Sequence, residues 1–215
     1  MSRRCKVVLS LLVYVVFCLA APTINADTIT FNNDPAGLKL SGFQSVDSPI
    51  VTFSNPGGSF FLATFSTFQN ASNVLNTEGS GAGFIVMTFS VPVTALSFDF
   101  GTNLAQINPN LTATATLALF LNGVPVGQTS FSTDNNLLVD QVISFSGQPF
   151  DSAVFSVVAH DVNDFGIGEV IDNVNFTPVP EPATVVLLGT GLAGVIGLLR
   201  TFPTVATDYQ SVKRE

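Results

Sequence analysis

Between residues 27 and 178 apolar side chains recur at every second position in short runs. In 93–100, Leu96, Phe98 and Phe100 alternate with Ser97 and Asp99. In 111–121, Leu111, Ala113, Ala115, Leu117, Leu119 and Leu121 alternate with Thr112, Thr114, Thr116, Ala118 and Phe120. A period of two is that of a strand with one buried face. It predicts ten strands, at 28–31, 49–54, 59–65, 84–89, 93–100, 111–121, 124–131, 137–145, 153–159 and 170–177. Turn chemistry separates them: Asn55-Pro56-Gly57-Gly58, the glycines of 79–83, and Asn122-Gly123. The last pair supplies the two positive φ values of a type I′ turn and predicts a hairpin, with Pro125 placing the return strand at an edge. No amphipathic helix of three turns interrupts this body. Strands spaced this closely predict an all-β fold, an antiparallel β-sandwich of jelly-roll or lectin-like form.

The two ends break the pattern. Arg3, Arg4 and Lys6 precede an apolar run over 7–20, and Ala20, Ala21 and Ala26 offer small residues for cleavage. Residues 1–26 therefore read as a signal peptide cut after Ala26, the alternative being an uncleaved anchor. At the other end, Val179-Pro180-Glu181-Pro182 precede 17 uncharged residues, 183–199, and then Arg200. Each proline fixes its own φ and restricts its predecessor, so Glu181 sits in an extended clip before a stretch that can cross a bilayer as a helix. Arg200, Lys213 and Arg214 put the tail, 200–215, in the cytoplasm by the positive-inside rule. The body, 27–178, is then outside.

This cassette resembles the PEP-CTERM protein-sorting signal of bacterial exported proteins, on Val-Pro-Glu-Pro-Ala-Thr followed by Leu-Leu-Gly-Thr-Gly-Leu-Ala-Gly over about the last 35 residues. The resemblance implies an exosortase as sorting partner, and carriers that are surface or exopolysaccharide-associated proteins. It departs from the family after Leu199, where a single arginine replaces the usual basic cluster. Residues 28–37 and 171–176 also look like the opening and closing strands of lectin-like or carbohydrate-binding-module-like bodies that carry such tails. That implies pairing of the first and last strands, with Asp34 brought toward Asp172. Gly189-Thr190-Gly191-Leu192-Ala193-Gly194 fits a dinucleotide fingerprint by accident: the chain ends 21 residues later, too soon for the second strand and acidic residue. Small residues packing a membrane helix is the reading kept.

Removing the ends changes the composition. The mean hydropathy of +0.49 is raised by the two apolar segments. Cys5 and Cys18 both fall in 1–26, so the mature body has no thiol and depends on its core. Lys39 is the one cation of 27–178 against 12 acids, a net charge of 1 − 12 = −11. Nucleic acid is a poor partner for that surface, because binding it needs Lys and Arg to displace counterions. Neutral polysaccharide and cations remain.

Catalysis has few actors. His160 is the only histidine and no G-x-S-x-G elbow surrounds a serine, so the body is expected not to be an enzyme. Asp161, Asn163 and Asp164 precede Gly166, with Glu169 and Asp172 near, which partly follows the oxygen-rich loop that holds calcium. The competing reading is a solvated turn in which Asp and Asn bond their own backbone. There is no tryptophan, and both tyrosines lie outside the body. Stacking on a sugar ring would therefore need an exposed Phe. Three functions follow: an exported surface or matrix protein that can bind exopolysaccharide, a purely structural or adhesive surface protein, and an ice-binding protein, which only the resemblance of the tail implies, since the short ladder of Thr112, Thr114 and Thr116 on one strand is not a flat repeated array.

Overall fold

The structure is a computed structural model that describes residues 25–64, 73–78, 84–104, 110–134, 136–159 and 168–179, with residue 191. Thr23–Val179 is one compact unit, and all strands lie in it: β1 Asp27–Ile29, β2 Gly37–Lys39, β3 Phe43–Gln44, β4 Val51–Ser54, β5 Ser59–Ala63, β6 Val74–Glu78, β7 Phe84–Thr102, β8 Ala113–Leu121, β9 Val124–Ser132, β10 Gln141–Ala159 and β11 Glu169–Pro178. They form one 11-stranded sheet in the order β2-β5-β6-β11-β7-β10-β8-β9, with β1 on β11, and with β3 on β4 and β4 on β7.

Two long strands fold that sheet into a sandwich. β7 and β10 each run 19 residues, where the alternation predicts two strands apiece. The inward positions of β7 are odd through Val93 (Ile85, Met87, Phe89, Val93) and even from Leu96 on (Leu96, Phe98, Phe100), the change falling where the β7–β11 ladder slips just past Pro92. The β7–β10 ladder slips between Ser146 and Ser152, on either side of Phe150. A bulge bends a strand and reverses its facing without ending it, so Pro92 and Pro149 mark corners where the sequence suggested breaks. One layer then holds β2, β5, β6, β1, β11, the second half of β7 and the first half of β10. The other holds β3, β4, the first half of β7, the second half of β10, β8 and β9.

Phenylalanines join the layers. The Phe155 ring lies 5.0 Å from Phe98 and 5.3 Å from Phe100, both edge-on, and Phe89 lies 5.5 Å from Phe176. Pairs at these separations contribute roughly 0.5–1.5 kcal/mol beyond the area they bury.

The predicted hairpin is present. Asn122 and Gly123 have φ of 51° and 77°, and Ala113, Ala115, Leu117 and Leu119 are buried. β9 is an edge strand, as Pro125 required. The strand expected at 137–145 begins only at Gln141. Residues 137–140 instead cover the first layer from outside: a Cβ at Gly101 would come 2.5 Å from the Leu138 carbonyl oxygen, and Val139 packs with Val74 and Val170. β2, β3 and β6 are additions that the alternation did not predict.

Candidate functional site

β11 is the last strand and is interior, with β7 along one side and β6 and β1 along the other. β1 runs antiparallel to it, Asp27 opposite Phe176 and Ile29 opposite Val174, so the first and last strands pair as expected. This register brings the chain into the sheet beside the point where it leaves. At the exit, Pro178 is opposite Val93 and the Val179 N–H donates to the Pro92 carbonyl at 2.8 Å. Val179, the first residue of the sorting cassette, is thus tied to the sheet. Pro180, Glu181, Pro182, the segment 183–199 apart from residue 191, and Arg200 lie outside the described residues, as do residues 1–24 of the expected signal peptide 1–26. Among the described residues no helix is long and apolar enough to cross a membrane.

A shallow groove of about 340 Å³ opens on the outer face beside this exit. The strand registers build its floor. One row runs Thr28, Asn175, Ser97, Ser144, and the next runs Thr177, Ala95, Ser146, with Ala26 at its end. Small side chains on four adjacent strands leave the depression, since each outward residue alternates with a buried one such as Phe176 or Leu96. The Thr28 hydroxyl donates to Asn175 Oδ1 at 2.7 Å, and Asn175 Nδ2 donates to the Asn173 carbonyl at 2.6 Å. The groove offers hydroxyls and an amide and carries no charge on its floor.

Beyond the residues that line it, one outward position past Ser97 on β7, stand two carboxylates. Asp99 and Asp172 are opposite each other on β7 and β11. Asn173 sits in a register shift with φ of 49°; its N–H donates to Asp172 Oδ1 at 2.8 Å and its amide to Asp99 Oδ2 at 2.7 Å. The bulge turns an amide between two aligned acids, which offsets part of their repulsion.

Of the residues considered for calcium, only Glu169 and Asp172 are among the described residues. Asp161, Asn163 and Asp164, with His160, lie outside the described residues. Asp172 is buried. Asp34, expected near Asp172, has its own partners, the Ser45 hydroxyl and the Val46 N–H. Among the described residues no three His, Cys, Asp or Glu side chains are grouped to hold a metal ion.

Glu169 has another role, which the sequence did not reveal. It is 1% exposed, accepts from the Thr77 hydroxyl at 3.0 Å on one oxygen and from the Val157 N–H at 3.2 Å on the other. Thr77 belongs to its own layer and Val157 to the facing one, so this carboxyl fastens the two layers together. Burial pushes its pKa up to about 8 against those hydrogen bonds, which favours the protonated acid at pH 7.

Residues 178–200 match the PEP-CTERM protein-sorting motif, the family that the tail resembles in sequence. Among curated proteins none matches the chain. Solved structures give distant likenesses. A DUF4465 family protein from Bacteroides caccae has a TM-score of 0.47 at 10% identity, over 73% of this chain and 100% of that one. An arabinose-bound α-L-arabinofuranosidase has 0.41 at 13%, over 71% of this chain and 27% of that one. A carbohydrate-binding module specific for non-crystalline cellulose has 0.38 at 15%, over 66% and 96%. These likenesses carry no inference about ligand or activity.

Proposed function

We propose that this is a non-enzymatic, exported surface or matrix protein, delivered through its PEP-CTERM motif by an exosortase, whose lectin-like sandwich binds neutral polysaccharide in the groove beside β11. The observation that carries the ligand half is the groove floor: Ser97, Ser144, Ser146, Asn175 and Thr177 on adjacent strands. Hydroxyls and an amide match sugar hydroxyls as hydrogen-bond partners, and the acids Asp99 and Asp172 just beyond its lining disfavour uronate or sulfated chains. Recognition here is by hydrogen bonding and shape. The two rings in its lining, Phe145 and Phe176, are engaged with the core, and the exposed rings Phe84 and Phe131 are on the other layer, so stacking is not the basis of recognition proposed for this groove. The delivery half rests on the motif at residues 178–200, with 183–199 holding the precursor in the membrane until it is processed.

The test is affinity electrophoresis of the purified protein through gels containing neutral glucans, galactans or mannans, or a polyuronate. Retardation is expected in at least one neutral gel and not in the polyuronate gel. Ala95→Trp, which fills the floor from an outward position, should weaken that retardation at least about tenfold, equivalent to roughly 1.4 kcal/mol. Equal retardation of wild type and variant would remove the groove from the account. No retardation in any gel would leave a structural or adhesive surface protein.

A further inference from the structure

The two ends of the sheet are built differently. An edge strand presents a row of backbone N–H and C=O groups that can template another strand, and proteins guard such edges with shortness, charge, proline or bulges. β2, at one end, has three residues and closes on Lys39, whose ammonium lies 5.2 Å from the Phe43 ring centre. That edge is guarded. β9, at the other end, has nine residues, Val-Pro-Val-Gly-Gln-Thr-Ser-Phe-Ser, with no charge. Pro125 and the one register shift in its ladder both fall near its start, leaving 127–132 open. Among the described residues it pairs with β8 alone. Val124 and Phe131 on it are 61% and 44% exposed.

Charge selects the occupant. The body carries 12 acids against one cation, so two copies repel wherever acids face each other within a screening length of about 8 Å. β3, β4, 84–89 of β7, 152–159 of β10, β8 and β9 hold no charged residue at all. The acid bordering this layer on its strands, Asp151 at the corner of β10, is bonded to the Asn122 N–H at the hairpin turn; along 127–132 of β9, the open edge, two copies can meet without facing acids. A strand that pairs antiparallel with its own copy makes each contact twice about a two-fold axis, so self-complementarity follows from the geometry.

We infer that β9 is a homotypic docking strand: 127–132 pairs antiparallel with the same segment of a second copy, joining two uncharged layers into one continuous sheet. The inference does not depend on what the groove binds. Gln128 and Ser130 point outward, opposite Ala118 and Thr116, and both are exposed, so charges there reach the copy without entering the core.

The experiment compares full-length wild type in detergent with Gln128→Lys/Ser130→Lys and Gln128→Glu/Ser130→Glu, by sedimentation equilibrium, with thermal melts to establish that all three are folded. The dimer dissociation constant should rise roughly tenfold or more in each variant, because like charges then face each other across the pair. An equimolar mixture of the two variants should return to wild-type affinity or better. A monomeric wild type, unchanged dimerisation in both variants, or a mixture that fails to recover would each overturn the inference.

Discussion

The two layers of the sandwich divide the polar work unequally. Asp27, Lys39, Glu78, Asp99, Glu169 and Asp172 all stand on strands of the first layer, whereas the second has a single charged strand residue at its border, Asp151 at the corner of β10, which accepts from the Asn122 N–H at 2.9 Å. The first layer is where the chain enters and leaves, and several of its polar groups have named partners: Glu169 with Thr77 and Val157, Asp99 with Asn173, Asn175 with Thr28. The second follows alternation more closely, with apolar residues inward and Thr, Ser, Val and Ala outward, and its side-chain bonds, such as Gln44 to Thr52 and Thr116 with Ser130, lie on the exposed face. Hydrogen-bonded polar groups fix one arrangement of neighbours, because a buried group without its partner is costly. An uncharged face and edge make no such demand, which leaves them open to other molecules.

The largest effect should come from cutting the apolar join between the layers. Phe155→Ala removes the ring that meets both Phe98 and Phe100 and should cost about 3–5 kcal/mol in urea unfolding. A smaller loss would mean that the layers are held mainly by their shared strands.

The polar join should show in pH dependence. Glu169 titrates near 4.5 when exposed and about 8 in place, so between those values the folded protein holds a proton that the unfolded chain has released. Its contribution is complete below about 4.5, declines as pH rises and is gone above about 8, a loss on the order of a few kcal/mol. Glu169→Gln should flatten this slope, match wild type near pH 4.5 and exceed it at pH 8 in urea midpoint. An identical slope in the variant would assign the dependence to other groups.

A third effect separates a fastened loop from the neutral face. Asp47 accepts from the Thr30 N–H and hydroxyl, the Phe31 N–H and the Asn33 amide. Hydrogen bonding, from Asn33 foremost, holds its carboxyl below the usual range. Asp47→Ala should cost roughly 1–3 kcal/mol at pH 7, and the two proteins should converge as acid protonates Asp47. Val154→Lys, on the outer face of the second layer, should change stability by no more than about 0.5 kcal/mol. A large loss there would show that the neutral face is needed for folding.

Alternation made the class of fold, the β8–β9 hairpin and the inward residues of β8 readable directly from the chain, because facing depends on period and turn chemistry on one or two residues. The corners at Pro92 and Pro149 were not readable as corners. Proline and glycine end one strand and bend another with the same local signal, and only the ladder on the neighbouring strand distinguishes the two. β2, β3 and β6 were missed because two- to five-residue strands are fixed by the neighbours they meet. The groove was invisible for a related reason: its residues lie on four strands far apart in sequence and acquire meaning from register. Glu169 looked like one more acid of a loop until its burial and its two partners were known. The tail was the opposite case, since its residues are contiguous and its order is its signal.

That tail leaves the sheet directly from its last strand, and delivery is what the account depends on most. The most direct measurement is the intact mass of the chain recovered from membrane, cell surface and medium, from cells with and without an exosortase. The account predicts a surface or released product that begins at Asp27 and ends close to Pro180–Pro182, and that disappears when the exosortase is absent. A chain that keeps residues 183–215 in the membrane of both kinds of cell would contradict it.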